Sequence, residues 1–278
     1  RHLDAGQVAG QGQEFTRESA TADDQDARGG RLRRGRVRGA IDLARDAGDS
    51  GMGKLLGGIN IGIERLQTIV DDMIDVSMID NNLLKLNFQP AQVGQIVAVL
   101  RNEVTPILQS RKLQIETSEF EGGRQWIYVD TQRVTQAIRN VISNAVKYTP
   151  DNGKITISGR MLPGFIEVVV EDTGIGISQE HQSIIFEKFG QVGSVGLHSS
   201  GKTKFKGGGP GLGLSIARGI LEAHGGAIWV ESPGYDEKTY PGSTFHILIP
   251  ARTESADPEM TRLFDTLEKK FKPNVETN

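Results

Sequence analysis

The chain has 278 residues, 37% of them hydrophobic and 24% charged, enough for one large or two modest soluble domains with their own cores. A net charge of −3 supplies no basic surface for nucleic acid, and the absence of cysteine excludes disulfides, thiolate metal sites and cysteine nucleophiles. No run approaches 18 consecutive apolar residues, and the start, Arg1-His2-Leu3-Asp4, opens no apolar signal segment, so the chain reads as cytoplasmic, without a membrane segment or a nucleic-acid partner.

Residues 1–54 are rich in Arg, Gly, Asp and Ala and carry no apolar period. They read as a low-complexity segment, disordered or translated from a non-native frame. From Ile59 the texture changes: Ile59, Ile63, Leu66, Ile69, Val70, Met73, Ile74, Val76, Leu83 and Leu84 recur at spacings of 3 and 4. That pattern predicts one amphipathic helix over 59–86, ending ahead of Pro90 and about 40 Å long, a length suited to pairing with other helices. It defines a second region, 55–90.

Region 91–252 alternates short elements. Helices are expected over 93–110, over 130–147 with Asp130 as cap and Pro150 as stop, and over 212–223, ended by Gly225-Gly226. Strands are expected over 113–117, 126–129, 154–160, 165–171, 227–231 and 243–249, with Pro163-Gly164 turning one hairpin. Such an order gives an α+β two-layer sandwich, a sheet on one side and helices on the other. The tail, 253–278, carries Met260, Leu263, Phe264, Leu267 and Phe271 at helical spacing and reads as a short amphipathic helix.

Glycine is over-represented, 35 of 278, against a usual share of roughly 7%. Gly196–Thr203 fits the G-x-x-x-x-G-K-[ST] spacing of a phosphate-binding loop, but no buried strand precedes it and no helix can start at Lys204-Phe205-Lys206-Gly207, so the pattern is set aside. A better context belongs to Gly207-Gly208-Gly209-Pro210-Gly211-Leu212-Gly213, which runs directly into the apolar helix at 212. There the backbone can approach an anion closely at a helix N-terminus; a flexible hinge is the plain alternative. Asp172-Thr173-Gly174-Ile175-Gly176 follows a strand and places a carboxylate where it can accept from an exocyclic amine, or it is an ordinary strand-ending turn. Asn140, Asn144, Lys147 and Tyr148 fall on or near one face of the 130–147 helix, offering amide oxygens to a hard cation, an ammonium to phosphate and a ring to a base.

In this order the four signals resemble the ATP-binding domain of sensor histidine kinases, in the superfamily that also holds gyrase, Hsp90 and the MutL proteins. The segment 140–150 resembles the family's asparagine box and Asp172–Gly176 its first glycine box. Ile185-Phe186-Glu187-Lys188-Phe189 resembles its phenylalanine box, and Gly209–Leu214 its second glycine box. The resemblance covers 59–250 and implies a Bergerat-type ATP-binding fold preceded by the second helix of a dimerisation hairpin.

It further implies Asn144 as a Mg²⁺ ligand with Asn140 beside it, Lys147 on phosphate and Tyr148 against the nucleotide. Asp172 is expected on the adenine amine, with Gly174 and Gly176 lining that pocket. Gly209, Gly211, Leu212 and Gly213 would meet the phosphates. Phe186 and Phe189 would anchor a lid that stays mobile until nucleotide binds, and Thr244 would close the base pocket. Asn140, Asn144 and Lys147 form the implied catalytic set, ATP and Mg²⁺ the cofactors. The implied partners are ATP, the receiver domain of a response regulator and a second copy of the chain through the long helix.

The implied activity is transfer of the γ-phosphoryl group of ATP to a protein histidine in two-component signalling. Two features depart from the family: Pro210 stands where it has threonine, removing an amide donor, and the only histidine before position 181 is His2, so no acceptor histidine is identified. His224 is read as structural. A regulatory module that binds ATP without transferring phosphate, and an ATPase of the wider superfamily, are the alternatives; against the latter, Asn140 offers an amide where a water-activating glutamate is needed.

Overall fold

The computed structural model describes residues 51–190, 205 and 210–253. Expectations for 1–50, for the Gly196–Thr203 pattern and Gly209 with most of the 190–211 loop, and for the tail helix lie outside the described residues. Two compact units divide the chain, Arg1–Thr68 and Ile69–Asn278. In the first, residues 51–68 are helical and leave Leu55, Ile59, Ile61 and Leu66 exposed. Among the described residues, no helix is long and apolar enough to cross a membrane.

The long helix, α1, spans Gly51–Asp80. It begins earlier than expected, so that residues 51–54 are helical, and it stops six residues short of Leu86. The stop is local: Asn82 takes φ 53°, its amide donates to Ile79 O at 3.1 Å, and the Leu83 amide donates to Met78 O at 2.8 Å. A left-handed residue two places past the last helical residue is a strong terminator, and asparagine tolerates it, so Asn82 acts before Pro90 is reached.

The second unit continues with β1 (Gln89–Gln92), α2 (Val93–Ser110), β2 (Gln114–Thr117), β3 (Trp126–Val129), α3 (Thr131–Tyr148), β4 (Lys154–Leu162) and β5 (Phe165–Asp172). After these come α4 (Gly213–His224), β6 (Ala227–Glu231) and β7 (Ser243–Pro250). β1 is not among the strands expected from the sequence; it pairs antiparallel with β3 as a separate two-stranded sheet, an edge where proline is tolerated. The other five strands form one sheet in the order β2-β4-β5-β7-β6, with β2 parallel to β4 and every other pair antiparallel.

Alternation decides what each strand contributes. Ile166, Val168 and Val170 of β5 pair with Ile249, Ile247 and Phe245 of β7, all buried on one face. Against that face lie Leu100 and Leu108 of α2, Ile138, Val141 and Ile142 of α3, and Ile216 and Ile220 of α4, so the core is a layer between helices and sheet. On the opposite face, burial pushes the Glu167 carboxyl up, but hydrogen bonds from Arg160 and His246 outweigh it and hold the group below the usual range.

Helix ends set the positions of the functional segments. Asp130 caps α3 by accepting from the Arg133 amide at 3.0 Å, and its own amide donates to His224 Nε2 at 3.1 Å. His224 is 1% exposed; its Nδ1 donates to Ile220 O, and burial holds the ring below its usual pKa, so it is a neutral structural group. At the other end of α3 the buried Arg111 guanidinium binds Val146 O and, at 2.7 Å, Thr149 O, with Asp151 as counter-ion at 2.9 Å. Cationic donors satisfy the last carbonyls of a helix and oppose its dipole, so Arg111 sets the height of Lys147 and Tyr148.

Candidate functional site

β5 is apolar on its core face until Asp172, its last residue, and that carboxylate consequently points into the layer between sheet and helices. Asp172 is 4% exposed. Oδ1 accepts from the Gly174 amide at 2.8 Å, and a backbone hydrogen bond from Ser243, its register partner on β7, also favours the anion. Loss of solvent outweighs both bonds and pushes the carboxyl up to about 7.

The turn after Asp172 is built for close approach. A Cβ on Gly174 would lie 2.4 Å from Asp172 Oδ1 and 2.6 Å from Tyr148 O, so only glycine fits. The Ile175 amide donates to Tyr148 O at 3.2 Å, fastening the turn to the end of α3, and Gly176 takes φ 72°. Above the turn, a cavity enclosing about 550 Å³, its open mouth included, is lined by Asn144 and Tyr148 from α3 and by Asp172 and Ile175–Ile177. Ile185, Gly190, Leu214, Tyr235, Ser243 and Phe245 complete it. This size, apolar lining and single buried acid suit a flat heterocycle bearing a donor.

Four of the expected residues line the cavity: Asn144, Tyr148, Asp172 and Gly176. Others stand behind the lining. Asn140, one helical turn before Asn144, donates through Nδ2 to Gly213 O at 2.9 Å and so holds the start of α4 against α3. Lys147 Nζ lies 4.7 Å from the centroid of the Tyr148 ring. Gly211, at φ 76°, turns the chain into α4, and Leu212 is buried with its carbonyl accepting the first helical amide, from Ile216, at 2.9 Å. Gly213 is the first helical residue.

The phenylalanines divide. Phe186 is buried and meets Phe245 edge to face, centroids 6.4 Å apart, whereas Phe189 is exposed and takes φ 60°. Of the two, Phe186 is the one packed into the core among the described residues.

Thr244 is a correction. Side chains of β7 alternate, and the core side carries Ser243 and Phe245, while Thr244 points to the outer face between Glu171 and Glu231. Ser243 is thus the residue that meets Asp172. The signal was present in the sequence, since Phe245, Ile247 and Ile249 mark the buried parity and Ser243 shares it. Tyr235 was also missed, because nothing in the polar stretch 232–242 marks a residue facing a cavity. No group of three or more His, Asp or Glu residues able to hold a metal occurs among the described residues.

Residues 129–253 match the family described as histidine kinase-, DNA gyrase B- and HSP90-like ATPase. The chain is 32% identical over 198 residues to the sensor-like histidine kinase SenX3 of Mycolicibacterium smegmatis and 30% identical over 199 residues to the sensor histidine kinase WalK of Bacillus subtilis. Each match takes in 70% of this chain, which spans 46% of SenX3 and 30% of WalK, less than half the length of these curated relatives. Among solved structures, the histidine kinase AdeS of Acinetobacter baumannii superposes with a TM-score of 0.56 at 24% identity, covering 77% of this chain and 93% of that one. Full-length ShkA in complex with AMPPNP superposes with 0.62 at 21%, covering 84% and 47%. These likenesses show the fold.

Proposed function

We propose that residues 129–253, which match the histidine kinase-, DNA gyrase B- and HSP90-like ATPase family, form an ATP-binding domain of that family and that the chain is the catalytic core of a two-component sensor histidine kinase. It binds Mg-ATP and passes the γ-phosphoryl group to a protein histidine. The observation that carries this reading is the buried Asp172 carboxyl at the floor of the cavity, flanked by Gly174 and Ser243 and facing Tyr148. A buried acid that accepts hydrogen bonds reads the exocyclic amine of adenine and rejects a base with a carbonyl there, because the carbonyl would leave two acceptors opposed.

ATP, when bound, supplies the phosphoryl group, and ADP leaves as the histidine nitrogen takes it. The chain's own work is positional. Asp172 and the Gly174–Gly176 turn orient the base, and the amide start of α4 at Gly213, held by Asn140, offers donors for phosphate. Asn144 fits Mg²⁺: that ion keeps waters, takes phosphate oxygens and needs only one or two protein oxygens, so a single amide oxygen suffices where the described residues hold no acidic cluster. Lys147 adds positive charge at the end of α3.

The partners follow the same reading. The structure of the histidine kinase ThkA in complex with the response regulator protein TrrA is one of the chain's fold neighbours, and a response regulator receiver domain is the downstream partner proposed for this chain, taking the phosphoryl group from the phosphorylated histidine. We assign 91–252 to ATP binding and 55–90 to part of a dimerisation hairpin that joins two copies through α1.

The test is incubation with γ-labelled ATP and Mg²⁺ together with a dimerisation hairpin, supplied separately, that carries a histidine. Acid-labile, base-stable label on the hairpin is the expected result. ATP binding without label on any histidine would replace this reading with a regulatory nucleotide-binding module.

A further inference from the structure

The loop between β6 and β7, 232–242, is a built part of the cavity wall. Its two ends are tied by Ser232 Oγ, which donates to Gly242 O at 2.7 Å and accepts from the Ile177 amide at 2.9 Å. Along its length it is fastened to the Asp172–Gly176 turn. The Asp236 amide donates to Ile175 O and the Gly242 amide to Gly174 O, both at 2.9 Å, and Tyr235 forms a β-bridge with Gly176. The approach is so close that a Cβ on Gly176 would lie 2.0 Å from Gly234 O. Asp236 shapes the tip by accepting from the Lys238 amide at 2.7 Å and the Thr239 amide at 3.3 Å.

Of this loop's two aromatic residues, Tyr235 and Tyr240, Tyr235 is the one that lines the cavity. Tyr235 lines the cavity yet is 46% exposed, and its hydroxyl donates to Glu237, so the ring is constrained at both its backbone and its polar end while part of its surface stays uncovered. A ring on a rigid turn beside an amine-reading carboxylate offers stacking area without the entropy cost of a flexible side chain.

We propose that Tyr235 is a specificity-determining residue of the nucleotide site, a stacking wall for the base whose amine Asp172 reads. This rests on the reading of the cavity as an adenine nucleotide site. Stacking scales with the overlapped π surface, so the wall favours purines over pyrimidines, whereas Asp172 alone does not separate adenine from cytosine, since both carry an exocyclic amine.

The experiment is calorimetric titration of the chain, and of its Tyr235→Ala, Tyr235→Leu and Tyr235→Phe variants, with ATP, CTP and tripolyphosphate in the presence of Mg²⁺. Circular dichroism and melting serve as the fold check. ATP affinity is expected to fall at least fivefold in Tyr235→Ala and Tyr235→Leu and to stay within about twofold in Tyr235→Phe. The ATP-to-CTP ratio should shrink in the first two, with tripolyphosphate binding unmoved. A merely structural role would weaken all three ligands together and leave the ratio intact, which overturns the proposal, as does ATP affinity unchanged in Tyr235→Ala. Failure of the unaltered chain to bind ATP overturns the adenine-site reading itself and this inference with it.

Discussion

Replacing Asp172 by asparagine separates what this side chain does for binding from what it costs the fold. In the folded protein its carboxyl titrates at about 7, against an ordinary 3.8, because burial outweighs the bonds from Gly174 and Ser243. The folded state therefore holds the proton more tightly than the unfolded chain does. The stabilisation that goes with it is complete below about pH 3.8, declines as pH rises towards about 7, and is gone above that. At about 1.4 kcal/mol per pH unit, the whole decline amounts to about 4 kcal/mol. Asparagine has the same shape and no charge, and its Oδ1 can still accept from the Gly174 amide. The unfolding free energy of Asp172→Asn minus that of the unaltered protein should therefore rise by about 4 kcal/mol between pH 4 and pH 8.

Nucleotide binding should move the opposite way. With Oδ1 held by Gly174, the asparagine NH₂ faces the cavity and opposes the adenine amine, donor against donor. Loss of a hydrogen bond to a charged group, about 1.5–3 kcal/mol, weakens ATP by roughly tenfold to a hundredfold at pH 8. Urea unfolding across pH 4–8, paired with calorimetric titration of ATP at pH 8, reads both effects. Parallel stability curves for the two proteins would refute the burial argument, and undiminished ATP affinity would refute the assignment of Asp172 to the base.

Other outcomes follow from the same contacts. Asp130→Ala removes the cap of α3 and the acceptor for the Asn87 amide, and should cost about 1–2 kcal/mol in chemical unfolding; a loss under 0.3 kcal/mol would show the cap to be redundant. Gly176→Ala puts a methyl group onto Gly234 O at a φ of 72°, so the loop 232–242 should part from the turn and ATP binding should drop below detection, with wild-type affinity as the contrary result. His224, held below its ordinary 6.5 by burial, makes stability full above pH 6.5 and lowers it as acid protonates the unfolded chain first; the acid limb should flatten in His224→Gln, while an unaltered limb assigns the slope elsewhere.

Much of the fold was legible because its signals are local. Asp130 before an apolar period, Pro150 after it and Gly225 at φ 81° mark helix ends whichever partners the helices find, and α3 and α4 stand within a residue of where those marks put them. The ordered boxes place Asn144, Tyr148, Asp172 and Gly176, and these four meet at one cavity. The end of α1 is local as well, since Asn82 at φ 53° stops the helix before Pro90 is reached.

Sequence by itself determined most of the elements, the family resemblance and the place of the acid at the cavity floor, because capping, periodicity and motif order are energies and constraints that act over a few residues. Tertiary structure alone decided that β2 lies parallel to β4, that Ser243 and not Thr244 stands opposite Asp172, and that the loop bearing Tyr235 closes on Gly176. Those outcomes depend on register between segments far apart in the chain. A shift of one residue exchanges the faces of a strand, and burial, which moves the Asp172 carboxyl to about 7, exists only once the layers have closed over it.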